Sequence, residues 1–195
     1  MKDFTKLREG FSPIMLEKGK GQALFFSGEM VQDEEGNVIP EGDGFINIAF
    51  SSKNHLSRIL SNLFPYKLSI RDESAESIEG ILQSIKHKEA DVQKLVMQYS
   101  GLVAWHTRGS TLVDDWRKRQ TLNWKEREMK RDSEEYQLFL DEVYLSAFNN
   151  PLYKKALQST GDKILLHTIG HEDAKETVLT RNEYESRLNA LKKLY

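Results

Sequence analysis

The chain has no cysteine in 195 residues, so disulfides, thiolate nucleophiles and cysteine-ligated zinc or iron–sulfur sites are all excluded. No apolar run approaches the ~18 residues a membrane-spanning helix needs. The first residues, Met1-Lys2-Asp3-Phe4-Thr5-Lys6-Leu7-Arg8-Glu9, mix both charge signs where an export signal would be apolar, so a cytoplasmic protein without membrane contact is expected. An excess of one charge is missing too. Basic residues number 28 and acidic residues 30, which gives a formal net charge of −2 and no global field to draw the molecule onto nucleic acid or an anionic membrane. Any polyanion contact must be local.

What is present suits a folded domain. Hydrophobic residues make up 38%, charged residues 30% and aromatics 10%, which argues against disorder. A domain of this length buries roughly 70% of the surface its unfolded chain exposes. A single domain over 1–195 is expected, with an N-terminal extension over 1–22, a strand-rich part over 23–70 and a mainly helical part over 75–195.

Ala23-Leu24-Phe25-Phe26 and Phe45-Ile46-Asn47-Ile48-Ala49-Phe50 read as strands, and Asp33-Glu34-Glu35-Gly36-Asn37 could close a hairpin with Val38 and Ile39. Val92, Leu95, Val96, Tyr99, Leu102 and Val103 recur with helical spacing as one apolar face, with Gly101 able to weaken or bend the helix. A second long helix opens near Asp132 with Glu135 as capping-box partner, buries Tyr136, Phe139, Leu140, Val143 and Ala147, and stops at Asn149-Asn150-Pro151. A short helix over 152–158 ends at Thr160-Gly161. Lys163–His167 reads as a strand, and Thr180-Arg181-Asn182-Glu183 is a capping box opening a terminal helix that buries Tyr184, Leu188 and Leu191. The charged stretch 114–131 reads as a long loop or two short turns. The fold class expected is α+β, mostly helical with a small sheet.

The segment Ser77–Lys86 carries the chemistry. On a helix, Gln83 lies about +40° and Lys86 about −20° from Glu79, while Ile78, Ile81, Leu82 and Ile85 take the opposite arc. Spacing alone is equally compatible with the solvated edge of an ordinary amphipathic helix. Ser77 is a plausible N-cap, which places Glu79 in the first turn, where the helix dipole favours the ionised carboxylate. Such a group suits stabilising positive charge or accepting a proton from water, as in cleavage at an anomeric carbon.

These residues resemble a known family. Leu60-Ser61-Asn62-Leu63-Phe64-Pro65, then Ser77-Ile78-Glu79-Gly80-Ile81-Leu82-Gln83-Ser84-Ile85-Lys86, are similar to motifs of the NADAR family, named for its association with NAD and ADP-ribose. Gly101, Ala104, Arg108-Gly109, Trp124, Arg131 to Tyr136, Asn150 to Leu157 with Thr160-Gly161-Asp162, and Leu166 to Gly170 running into Glu176 to Thr180 follow in that family's order. The resemblance implies an N-glycosidase that cuts between a ribose, ribose phosphate or ADP-ribose and a nitrogenous base, for example removing ADP-ribose from modified guanine, with no cofactor. It implies Glu79 as the catalytic glutamate. Gly80 departs from the usual Ser-x-Glu-His pattern, and Ala174-Lys175-Glu176-Thr177 replaces the aromatic pair expected after Asp173.

On that reading Gln83 and Asn62, with Ser61, orient the ribose, Lys86 and Arg108 hold phosphate, and Trp124 stacks on the base, with Asp173 a further binding residue. Expected partners are ADP-ribose or ribose-phosphate compounds and ADP-ribosylated nucleic acid. Each position has a plain alternative: Trp124 as core, Ser61 and Asn62 as turn formers, the basic residues as solvated surface. The whole chain has alternatives too, a non-catalytic ADP-ribose or NAD-binding module, or an interaction protein with a degenerate site. His167, His171, Glu172 and Asp173 offer metal-ligand types, but Gly170 breaks the helical i, i+4 face such a pair needs, so no metal site is expected.

Overall fold

The computed structural model describes residues 3–9, 30–32, 38–40, 44–107 and 116–194. They form an α+β structure whose strands, among the described residues, make four two-stranded sheets. No helix among them is long and apolar enough to cross a membrane. The chain builds two compact units from non-contiguous segments.

The first unit holds the described residues of Met1–Ser61, Lys155–Glu172 and Thr180–Tyr195. Helix α1 (Phe4–Glu9) packs on the terminal helix α9 (Arg181–Lys192). Strands β1 (Met30–Gln32) and β2 (Val38–Pro40) pair antiparallel with Val31 opposite Ile39, which bears out the pairing of Val38 and Ile39; the turn residues 33–37 and the strand expected at Ala23–Phe26 lie outside the described residues. Strand β3 (Phe45–Asn47) is shorter than expected, because Ile48 and Ala49 turn toward α2 (His55–Leu60), where Ser57 Oγ accepts the Ala49 N–H at 2.9 Å. It pairs in parallel with β8 (Ile164–Leu166) in the register Ile46 to Leu165. The outer edge of β8 is covered by Asn189, which accepts from the Leu165 N–H at 3.1 Å and donates to its carbonyl at 2.9 Å. Asn189 belongs to α9 (Arg181–Lys192), which opens with the capping box Thr180/Glu183 and buries Tyr184, Leu188 and Leu191 as the sequence predicts.

The second unit holds the described residues of Asn62–Lys154 and Asp173–Leu179. Hairpin β4 (Leu68–Ile70) and β5 (Glu73–Ala75) leads into α3 (Ile78–Ser84), which packs against α4 (Ala90–Met97), α5 (Gly101–His106) and α7 (Glu134–Asn149). The single apolar face predicted across Val92–Val103 is not what forms. The chain breaks into α4 and α5 at Gln98–Ser100, and Leu95, Leu102 and Val103 are exposed. The reason is Gly101, whose backbone lies so close to the 62–65 loop that a Cβ there would stand 2.2 Å from the Leu63 carbonyl oxygen.

A second correction concerns 114–131. Its described part is a short helix α6 (Trp116–Arg119) followed by hairpin β6 (Thr121–Trp124) and β7 (Arg127–Lys130), with Leu122 opposite Met129. Lys125, at φ 54°, makes the turn that glycine or asparagine usually makes, so no turn signal marks it in the sequence. Its ammonium bonds Asp72 and, at 3.1 Å, Glu73, joining this hairpin tip to that of β4–β5.

Helix α7 is capped by Ser133, whose Oγ accepts the Tyr136 N–H, one residue beyond the Asp132 expected; its buried face and its stop at Asn150 before Pro151 are as predicted. Helix α8 (Pro151–Gln158) follows, and Gly161, at φ 56°, lies beyond its end.

Candidate functional site

The site is built on the first turn of α3. Ser77 is extended, and its Oγ accepts the Gly80 N–H at 2.9 Å, the cap its position predicts. The Glu79 N–H donates to the Asn62 carbonyl at 3.0 Å, which ties the helix start to the loop after Leu60. From there the side chains form a row. Gln83 Nε2 donates to Glu79 Oε1 at 2.7 Å, and Lys86 Nζ donates to Gln83 Oε1 at 2.6 Å.

This edge is not a solvated one. Glu79, Gln83 and Lys86 are 9%, 5% and 6% exposed, and every residue of α3 is buried. An ordinary surface helix would leave such groups in water, because burying a charge is costly unless it is paired and hydrogen-bonded. The row meets that condition by alternating an anion, an amide that both donates and accepts, and a cation.

Two elements missed by sequence reasoning support the row. Tyr144, fully buried on α7, donates its hydroxyl to Asn62 Oδ1 at 3.0 Å. Asn123, on β6, donates its backbone N–H to the Ile85 carbonyl at 2.7 Å, and its own side-chain Nδ2 is buried without a hydrogen-bond partner. The buried face that periodicity assigns to this helix does not include Tyr144. Only the neighbouring Asn62 reveals what its hydroxyl does. Gly80 has a packing role here: a Cβ would approach Met97 O and Ser77 Oγ to 3.2 Å, so the residue lets α4 lie close against α3.

The other expected site residues fall elsewhere. Ser61 is buried as the C-cap of α2, its N–H donating to the Arg58 carbonyl. Arg108 lies outside the described residues. Trp124 is 5% exposed and packs its ring against Phe139 at 5.2 Å, with the Arg71 guanidinium 5.7 Å from its centroid. Arg71 is in turn held by Glu142 at 2.7 Å. Asp173 is exposed and accepts the Lys175 N–H at 2.8 Å. Of the eight residues the sequence suggests, Asn62, Glu79, Gln83 and Lys86 are brought together.

Outside this row, burial pushes the Tyr66 and Tyr153 phenols up, and the neighbouring Tyr153 adds to the shift at Tyr66, so both stay neutral. In the first unit His167 is held below the ordinary histidine value chiefly by burial. Among the described residues no group of three His, Asp or Glu side chains is disposed to hold a metal ion.

A family model described as bacteriophage protein GP30.3 matches residues 54–193, well over half of the chain and all of the row. An uncharacterised 17.1 kDa protein encoded between Gp30 and rIII in Enterobacteria phage T4 is 29% identical over 136 residues, covering 68% of this chain and 88% of that protein. No solved structure matches the chain. The family match overturns the NADAR resemblance: the motifs quoted for it fall largely within a segment that the phage family accounts for. The individual motifs are short runs of helix-start, turn and core residues, and Gly80 and the segment after Asp173 already departed from that pattern. Common local structure is enough to produce the rest.

Proposed function

The chain belongs to the bacteriophage protein GP30.3 family, and we propose that it is an N-glycosidase acting on the bond between a ribose phosphate or ADP-ribose and a nitrogenous base. Neither the family description nor the phage relative names an activity, so support comes from the side chains alone. The observation that carries it is the buried Glu79–Gln83–Lys86 row, a carboxylate aligned by an amide with a cation one link beyond.

In the proposed reaction, Glu79 faces the anomeric carbon and stabilises the positive charge that develops as the C–N bond lengthens. The electron pair of that bond leaves on the base nitrogen, which takes up a proton from solvent. Water attacks the anomeric carbon, forming the new C–O bond, and Glu79 accepts the proton that water loses. Gln83 keeps Glu79 oriented, Asn62 contacts the ribose, and Lys86 supplies positive charge toward phosphate.

Product analysis with ADP-ribosylated guanine nucleotide tests the reading. Free ADP-ribose should accumulate, and Glu79→Gln should lower kcat by about 100-fold or more. Turnover unchanged in that variant would remove Glu79 from the mechanism. A second reading, binding without cleavage, is favoured by the way the row's charged groups are already linked to each other through Gln83. Saturable binding of ADP-ribose, with ADP-ribosylated nucleotide recovered intact, would select it.

A further inference from the structure

We infer that Tyr144 is a positioning residue for this site, fixing the Asn62 side-chain amide so that its Nδ2 is the donor presented to a ribose oxygen of the substrate. The inference rests on the proposal that the Glu79 row handles a ribose compound.

An asparagine amide offers one acceptor and one two-proton donor, and which end faces where is set by its partners. Here Tyr144 settles it. A phenol hydroxyl carries one proton to donate, and that of Tyr144 donates to Asn62 Oδ1 at 3.0 Å. Asn62 Nδ2 makes no hydrogen bond among the described residues, although Asn62 is half-buried. Unlike Asn123 Nδ2, it is not among the buried polar atoms that lack a partner, so it keeps contact with solvent, where a ligand can reach it.

The placement is held from three sides. The Asn62 carbonyl takes the Glu79 N–H, so its backbone is tied to the first turn of the helix that carries the carboxylate. The next residue, Leu63, has its backbone against Gly101 so tightly that no Cβ fits between them. Tyr144 anchors the side chain from the buried face of α7, between core residues Leu140, Val143 and Ala147. A donor held this rigidly, on a residue whose backbone bonds that of Glu79, is suited to reading a hydroxyl or ring oxygen, since its orientation is set before the ligand arrives.

The test titrates ADP-ribose into the full chain labelled with nitrogen-15, following the Asn62 side-chain amide pair, which Asn62→Ala identifies by its loss. In the wild type, ADP-ribose should shift that pair. Tyr144→Phe, nearly isosteric, should retain the wild-type backbone spectrum yet move the Asn62 pair before any ligand is added, and should weaken ADP-ribose binding about tenfold. The double variant should bind no more weakly than Asn62→Ala alone, because Tyr144 acts through Asn62. Unchanged binding in Tyr144→Phe, or losses that multiply in the double variant, would overturn the inference while leaving the Glu79 reading intact. Binding with these effects but no hydrolysis would keep the inference and reject the enzyme. A wild-type chain that neither binds ADP-ribose nor shifts Asn62 would end both.

Discussion

Gln83 donates its side-chain amide to Glu79 Oε1 across one turn of α3, at 2.7 Å, with both residues buried. Pairs four apart on a helix face each other, so the contact is local in sequence. Its weight comes from burial, which removes the water that would otherwise compete for the carboxylate. Gln83→Met keeps the volume and removes both the donor to Glu79 and the acceptor of Lys86. Its cost should be about 1–3 kcal/mol, because buried polar atoms lose partners. Urea unfolding of the two proteins gives the difference directly; a cost within error of zero would mean the row is not packed as described.

Two glycines at close approaches, Gly80 of α3 against α4 and Gly101 against the 62–65 loop, should respond unequally to alanine. At Gly101 a Cβ would stand 2.2 Å from Leu63 O, so Gly101→Ala should cost about 3 kcal/mol or more. At Gly80 the closest approach is 3.2 Å, and the gain in helix propensity, about 1 kcal/mol, offsets part of the crowding. Gly80→Ala should therefore stay within about 1 kcal/mol of wild type. Thermal melts of the two variants would show whether this order holds.

The first unit should carry a histidine-linked loss of stability in mild acid. His167 is neutral in the fold, its Nδ1 paired with the Ile48 carbonyl at 2.7 Å; burial lowers its pKa, and Arg181 and His171 add to the effect. A folded pKa below the unfolded one means that the unfolded chain binds more protons. Stability is then fully present above the unfolded value, about 6.5, and is lost as pH falls toward the folded one. Glu185 works in the opposite sense. It accepts the His167 N–H at 2.6 Å and the Arg181 Nε at 2.7 Å, but burial raises its carboxyl. Comparing wild type with His167→Gln isolates the histidine: the variant should lose less stability between pH 7 and pH 5. Parallel curves would count against a buried neutral imidazole.

The two hairpin tips should separate when Lys125 loses its charge. Its hydrogen bond to Asp72 is the main cause holding Asp72 below the usual carboxylate range and Lys125 above the usual lysine one. Lys125→Met should lower the melting temperature at low ionic strength, and the deficit should shrink in 0.5 M salt because exposed ion pairs are screened. The deficit should also vanish in strong acid. The bridge is present above the ordinary aspartate pKa, about 3.9, and lost as pH falls through the lowered folded value.

Local signals were legible where one segment supplies both partners. Ser77 caps α3, Thr180 and Glu183 form the capping box of α9, and the core face of α7 follows its periodicity. The β6–β7 hairpin carries no local turn signal because Lys125 adopts a positive φ without the usual glycine, held there by acids from another hairpin. The break between α4 and α5 is likewise set from outside its own segment. Leu95, Leu102 and Val103 keep helical spacing, but the close approach of Gly101 to Leu63 sets where the chain must turn.

The sequence by itself determined the α+β class, the caps and core faces of the longer helices, and the alignment of Glu79, Gln83 and Lys86 along one edge, since each depends on spacing within one segment. Only the tertiary structure decided that this edge is buried, that Trp124 sits against Phe139 and Arg71, and that Tyr144 reaches Asn62 across 82 positions of chain. Periodicity tells which residues share a face, while burial and long-range hydrogen bonds depend on what the rest of the chain lays against it.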